Sequence, residues 1–302
     1  MTIPVLLFFY SVAIVLASLL GGWLPTVMQL DHTRTQLLMS YVAGLMLGIA
    51  FYHLLPHAIV TLAPAAGVDH AVWWLMIGLL LMFVLLRIFR FHQHGAAEDD
   101  GHDHNHAHHS GHQHDSAHSS PAQQRYGWLG VAFGLALHTF IDGIALGAAI
   151  QADVIEHGPL GLLGLGVFIA IVLHKPLDAL SISTLMQVGG WSIRARTWVN
   201  LLFALMCPLG AYLFLASAGN MGDNSSFMVG SALAFSAGVF ICISLSDLLP
   251  EIQFHSHDRG KLTLALILGV ITAYAIGLVE PSASHHHDAA PTQLHHSAES
   301  PL

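Results

Sequence analysis

The sequence predicts an all-α integral membrane protein of eight transmembrane helices, with an inverted repeat of the first three and last three around a central pair. Composition is the first ground: of 302 residues 54% are hydrophobic and only 9% charged, with a mean hydropathy of +0.63. A soluble domain carries about 25% charged residues. The second is a series of apolar runs near the ~20 residues that one bilayer crossing needs, at 3–24, 36–60, 72–91, 127–151, 160–188, 197–217, 227–250 and 261–279. The third is the placement of the basic residues. Arg34, Arg87, Arg90, Arg125, Arg194, Arg196, Arg259 and Lys261 all fall in loops or at span ends on one side of an eight-span topology, leaving only Lys175 in the middle of a span. The positive-inside rule makes that side cytoplasmic and both termini extracytoplasmic. A miscount by one span would scatter these charges over both faces.

Taken in order, residues 1–91 hold spans one to three. The first run has no basic n-region and is long enough to stay in the membrane, so it is expected to be a span and not a cleaved signal. Residues 92–126 form a polar loop around His102-Asp103-His104-Asn105-His106-Ala107-His108-His109. That composition cannot bury a core. The loop is expected on the cytoplasmic side, either as a weak multi-site metal collector or as a solvated linker. Residues 127–279 hold spans four to eight, and 280–302 form an extracytoplasmic tail with a second His cluster at His285-His286-His287. Cys207 and Cys242 lie within apolar runs, which excludes a disulfide framework. With Lys and Arg totalling nine, nothing points to nucleic acid.

The chemistry concentrates in spans four and five. His138 and Asp142, and again His174 and Asp178, stand four residues apart and so share one helix face. An ionisable group at mid-membrane costs roughly 2.5–3.5 kcal/mol on insertion scales, so a duplicated set at matching depth needs a reason. Imidazole and carboxylate together suit zinc and its first-row neighbours. Interhelical hydrogen bonds, or an ion pair with Lys175, are the alternative.

Spans two and seven carry the repeat. Ala43-Gly44 precedes His53-Leu54-Leu55-Pro56-His57 at the spacing at which Ala237-Gly238 precedes Asp247-Leu248-Leu249-Pro250-Glu251. The two spans run in opposite directions, the arrangement of an inverted-topology transporter repeat. His53 and His57 then lie towards the outer face as an entrance, and Asp247 and Glu251 towards the cytoplasm as an exit. Interfacial capping is the plainer role for His57 and Glu251. Pro56 and Pro250 each leave a carbonyl one turn earlier, at Tyr52 and Ser246, without its helical donor. Gly143 and Gly147 give span four a small-xxx-small face for close packing.

These residues resemble the ZIP family of divalent-metal transporters. The span-four run His138-Thr139-Phe140-Ile141-Asp142-Gly143-Ile144-Ala145-Leu146-Gly147 is similar to the family's His-Asn-x-x-acid-Gly pattern, and His174 through Asp178 to its fifth-span pattern. The resemblance implies an importer of zinc, or iron or manganese, as transported substrate, with no organic cofactor and no enzymatic step; the compact loops and the absence of another targeting signal point to the plasma membrane. It also implies Met46 as a further ligand and a second metal position at Thr139, Lys175 and Cys207. Lys175 brings a fixed ammonium there, so one transported ion is expected, with Lys175 pairing Asp142 or Asp178 in place of the second. The expected partners are divalent metal ions and the lipid bilayer, with homodimerisation left open. The expected mechanism is alternating access, with an elevator-like slide implied by the resemblance alone. Metal binding needs neutral imidazoles, so uptake is expected to fall as external pH drops through the His range. An intramembrane zinc hydrolase, an exporter and a metal-sensing receptor are the rival readings.

Overall fold

The computed structural model describes residues 2–27, 32–63, 67–90, 128–158, 163–220, 224–254 and 259–279. Eight helical segments among them are long and apolar enough to cross a membrane, and they coincide with the eight predicted spans. They are α1 (Ile3–Val27), α2 (His32–Leu62), α3 (Gly67–Arg90), α4 (Trp128–His157), α5 (Leu165–Val188), α6 (Ile193–Gly219), α7 (Ser225–Phe254) and α8 (Arg259–Val279). The His-rich loop and the C-terminal tail lie outside the described residues, as do the side chains of Asp247 and Glu251.

α2 is not uniform. Its α-helix is interrupted by a π-helical turn at Ala50–Leu54, closed by the Leu55 N–H donating to the Ala50 carbonyl, and the α-helix resumes at Leu55. The wider turn sits immediately before Pro56, where the proline ring removes a donor and crowds the preceding turn. The helix thus carries one extra residue in the turn before the proline. His53 lies within it.

Helix contacts sort into two groups. α2, α3, α7 and α8 pack mainly on one another, through α2–α8, α3–α7 and α2–α7; α1, α4, α5 and α6 do the same, through α4–α6, α1–α5 and α1–α6. Lipid tails are as apolar as leucine, so such contacts depend on close approach rather than on hydrophobic burial, and close approach calls for glycine. In α2–α8 a Cβ on Gly44 would strike the Leu266 carbonyl, and one on Gly269 the Tyr41 carbonyl. In α3–α7 a Cβ on Gly238 would strike the Leu75 carbonyl, and one on Gly78 the Phe235 carbonyl.

These two crossings are the same contact made twice. In each, either glycine faces the carbonyl three residues before the other, and Gly44 and Gly238 are the pair aligned by the sequence repeat. The second group repeats itself likewise. Gly210 of α6 approaches the Phe140 carbonyl of α4, and Gly21 of α1 approaches the Pro176 carbonyl of α5. Phe140 and Pro176 each stand two residues after a site histidine. The inverted repeat therefore extends through the central pair.

Hydrogen bonds reinforce each group from within. Ser18 Oγ donates to Asn200 Oδ1 at 3.3 Å and Asn200 Nδ2 to the Ser18 carbonyl at 3.1 Å, joining α1 to α6. Ser244 Oγ donates to the Ala43 carbonyl at 2.7 Å, joining α7 to α2.

Candidate metal site

Two helix turns, one from α4 and one from α5, bring the predicted ligands together. One ligand atom each of His138, Asp142, His174 and Asp178 lies within 4.8 Å of all the others. His138 Nε2 stands 3.4 Å from Asp142 Oδ2 and 3.8 Å from Asp178 Oδ2; His174 Nε2 stands 3.1 Å and 3.8 Å from the same two oxygens. The i,i+4 spacing aims each pair inward, and the α4–α5 contact sets the pairs face to face.

The hydrogen bonding of His174 orients its Nε2 into the cluster. Its Nδ1–H donates to the Ala170 carbonyl one turn back, at 2.7 Å. Nε2 then faces Asp142 Oδ2 at 3.1 Å. A proton on Nε2 makes that contact a hydrogen bond, and in a neutral ring the Nε2 lone pair is free to bind a cation beside the carboxylate. Asp142 is wholly buried, and its Oδ1 and His138 Nδ1 have no hydrogen-bond partner. Buried polar atoms left in this way cost free energy; a cation among the four ligand atoms would offset that cost at the Asp142 carboxylate, while His138 Nδ1 points away from the coordinating Nε2.

Lys175 supplies one positive charge itself. Its Nζ donates to Asp142 Oδ2 at 2.8 Å, to Thr139 Oγ1 at 2.8 Å and to Asp178 Oδ2 at 3.3 Å, while lying 5.3 Å from the centroid of the Phe203 ring. The ammonium thus contacts both carboxylates, and Thr139 is occupied as its acceptor. Cys207, the third position of the implied second metal, is buried, and its carbonyl backs the Gly143 crossing. With neutral imidazoles, two carboxylates and one ammonium leave the cluster with one net negative charge before any cation arrives.

A cavity of about 220 Å³ reaches the site, and His138, His174 and Asp178 line it together with Met46. Its other walls include Met39 near the start of α2, Leu86 near the end of α3 and Ser181 in the second half of α5. Those are the helix ends beside Arg34, Arg87 and Arg194. The cavity therefore leads from the ligands towards the basic side. On the other side a pocket of about 10 Å³, lined by His53, His57 and Asp153 among others, contains none of the four ligands.

Around that second pocket lie the predicted entrance histidines and two carboxylates that sequence reasoning missed. His57 Nδ1 pairs with Glu156 Oε2 at 3.1 Å, His53 Nε2 donates to the Ala273 carbonyl at 2.9 Å, and Asp153 Oδ2 accepts from the Gly164 N–H at 2.6 Å. Gly164 precedes α5 with a φ of +66°, a conformation that favours glycine, so this bond fixes the turn from α4 into α5. Span four was expected to end at 151, which left Asp153 and Glu156 in a loop. A signal was present: they follow Asp142 by 11 and 14 residues, three and four helical turns on, along the same face.

A family model described as ZIP zinc transporter matches residues 87–277, well over half of the chain. The chain belongs to the ZIP family. It is 32% identical over 165 residues to zinc transporter ZIP9 of Micropogonias undulatus, a match covering 51% of each protein. It is 30% identical over 151 residues to metal cation symporter ZIP14 of Danio rerio, covering 47% of this chain and 28% of that one. A third similarity is to the zinc transporter foi of Drosophila melanogaster, 28% identical over 152 residues and covering 50% of this chain and 20% of the relative. The matches thus span about half the length of these relatives or less. ZIP proteins are transporters, not enzymes, and membership removes the ground for the hydrolase reading. For this ZIP chain, the His/Asp cluster at the head of the cavity is the part suited to hold a metal ion.

Proposed function

We propose that the protein carries divalent metal cations, zinc foremost, across its membrane into the cytoplasm by alternating access, with His138, Asp142, His174 and Asp178 as the ligands in transit. The observation that carries this is the junction of the four ligand atoms, within 4.8 Å of one another, with a cavity that leads from them towards the basic side. Two imidazoles and two carboxylates suit zinc, and iron or manganese in second place. Met46, on the cavity wall, adds a soft thioether.

The charges support import. The cavity leads to the side bearing Arg34, Arg87 and Arg194, which the positive-inside rule makes cytoplasmic, so this conformation is the one that releases. Lys175 occupies the place of a second metal and holds both carboxylates when the cation has left. The two helix groups supply the moving parts: α1, α4, α5 and α6 carry the site, while α2, α3, α7 and α8 form a frame. Side-chain bonding within each group and sparser contact between them favour a slide of one along the other. His53 and His57 stand at the entrance, Asp247 and Glu251 at the exit, in a plasma membrane with both termini outside.

The test is uptake of radioactive zinc into sealed vesicles of known orientation, for the native chain and for His138→Ala/His174→Ala. Saturable native uptake that falls to the level of empty vesicles in the double variant is the expected result. Uptake retained by the double variant removes these ligands; zinc bound but never carried would convert the protein into a sensor.

A further inference from the structure

We propose that the His57–Glu156 contact is an outer latch, holding the carrier helices against the frame while the site is open to the cytoplasmic side. This rests on the alternating-access reading above, but not on which ion is carried. His57 belongs to α2 of the frame and Glu156 to α4 of the carrier, so their 3.1 Å bond spans the two groups. Two neighbouring polar contacts each stay within one group. His53 bonds to Ala273 within the frame, and Gly164 to Asp153 within the carrier.

This difference decides which bonds a slide would break. Displacement by one helical turn, about 5.4 Å, leaves every bond internal to a group intact and pulls His57 from Glu156. Room for outer access is missing while they touch, since the adjoining pocket of about 10 Å³ holds roughly one water. The contact lies near the membrane boundary, with side-chain exposures of 24% for His57 and 12% for Glu156. A pair so placed biases an equilibrium by a modest factor, as a latch that must open in every cycle requires.

Exchange of the two residues tests the idea without requiring transport. Leu135, on the cytoplasmic-side cavity wall, is replaced by cysteine, and its modification by a membrane-impermeant maleimide from that side reports the inward-open population. The chain without the added cysteine serves as blank. His57→Glu alone sets two carboxylates face to face and should slow labelling about threefold or more; His57→Glu/Glu156→His restores the pair in reverse and should recover the native rate. Equal rates in all three chains, or an exchanged pair as slow as the single variant, would overturn the latch. Should His57→Glu fail to fold, His57→Cys/Glu156→Cys decides: oxidation to the disulfide should arrest zinc uptake until reductant is added. Uptake unchanged by a disulfide confirmed by mass also overturns it. Native vesicles that take up no zinc would defeat the transport reading, while the labelling series would still decide on the latch.

Discussion

The frame and the carrier are built by one packing rule and differ in what they bury. Each closes its helices through glycines set against a facing carbonyl: Gly44 with Gly269 and Gly78 with Gly238 in the frame, Gly143 with Gly210 and Gly21 against Pro176 in the carrier. Only the carrier then places a lysine, two histidines and a wholly buried aspartate among those contacts. The buried polar groups of the frame include small hydroxyls, as at Ser244 and Ser236, and the His53 imidazole bonded to the Ala273 carbonyl. A membrane protein can thus use a single backbone arrangement twice, once as support and once to hold charge. The four-residue His/Asp cluster lies wholly in α4 and α5 of one group.

Removing the central charge should expose that asymmetry most strongly. Lys175→Met leaves Asp142 and Asp178 without their ammonium, and breaking a buried pair costs about 3–5 kcal/mol. The variant should therefore unfold at a much lower temperature than the native chain without metal, and zinc should raise its Tm by more than it raises the native Tm. Thermal unfolding in detergent, with and without zinc, measures both; an equal zinc shift would mean that lysine and cation do not share the carboxylates.

The packing rule predicts a smaller, matched effect. Gly238→Leu and Gly143→Leu each drive a side chain into a facing carbonyl, and overpacking of this kind costs about 1–3 kcal/mol. Similar losses of Tm in both are expected, with loss of zinc binding confined to Gly143→Leu because it displaces the residue beside Asp142. If Gly238→Leu also abolished zinc binding, the division into frame and carrier would be wrong.

The smallest effect belongs to Met46, where the frame reaches the site. Met46→Leu conserves volume and should change stability by less than about 1.5 kcal/mol. Competition binding should show it weakening cadmium more than manganese, because only the soft ion gains from the thioether. Equal weakening would reduce Met46 to a wall of the cavity.

Much of this was legible before any coordinates. The eight spans follow from apolar length, since a crossing requires a continuous run and the loops interrupt it visibly. The ligand set follows from i,i+4 spacing combined with the cost of charge in a bilayer. Asp153 and Glu156 were lost because hydropathy places the end of a span where charge begins, whereas α4 continues to His157. Pro56 was read as opening one carbonyl; the widened turn before it, at Ala50–Leu54, is a cooperative backbone response that no single residue signals.

What the sequence determined alone was therefore local: crossings, their count, the faces on which histidine and aspartate coincide, and the pairing of Gly44 with Gly238. The physical reason is that helix periodicity and transfer cost act within one segment. Only the tertiary structure decided which segments touch. It set α4 against α5 so that two ligand pairs meet, placed Lys175 on both carboxylates, carried the cavity to one side and brought His57 to Glu156. Those contacts join residues up to about 100 positions apart, and their geometry depends on how closely whole helices can approach.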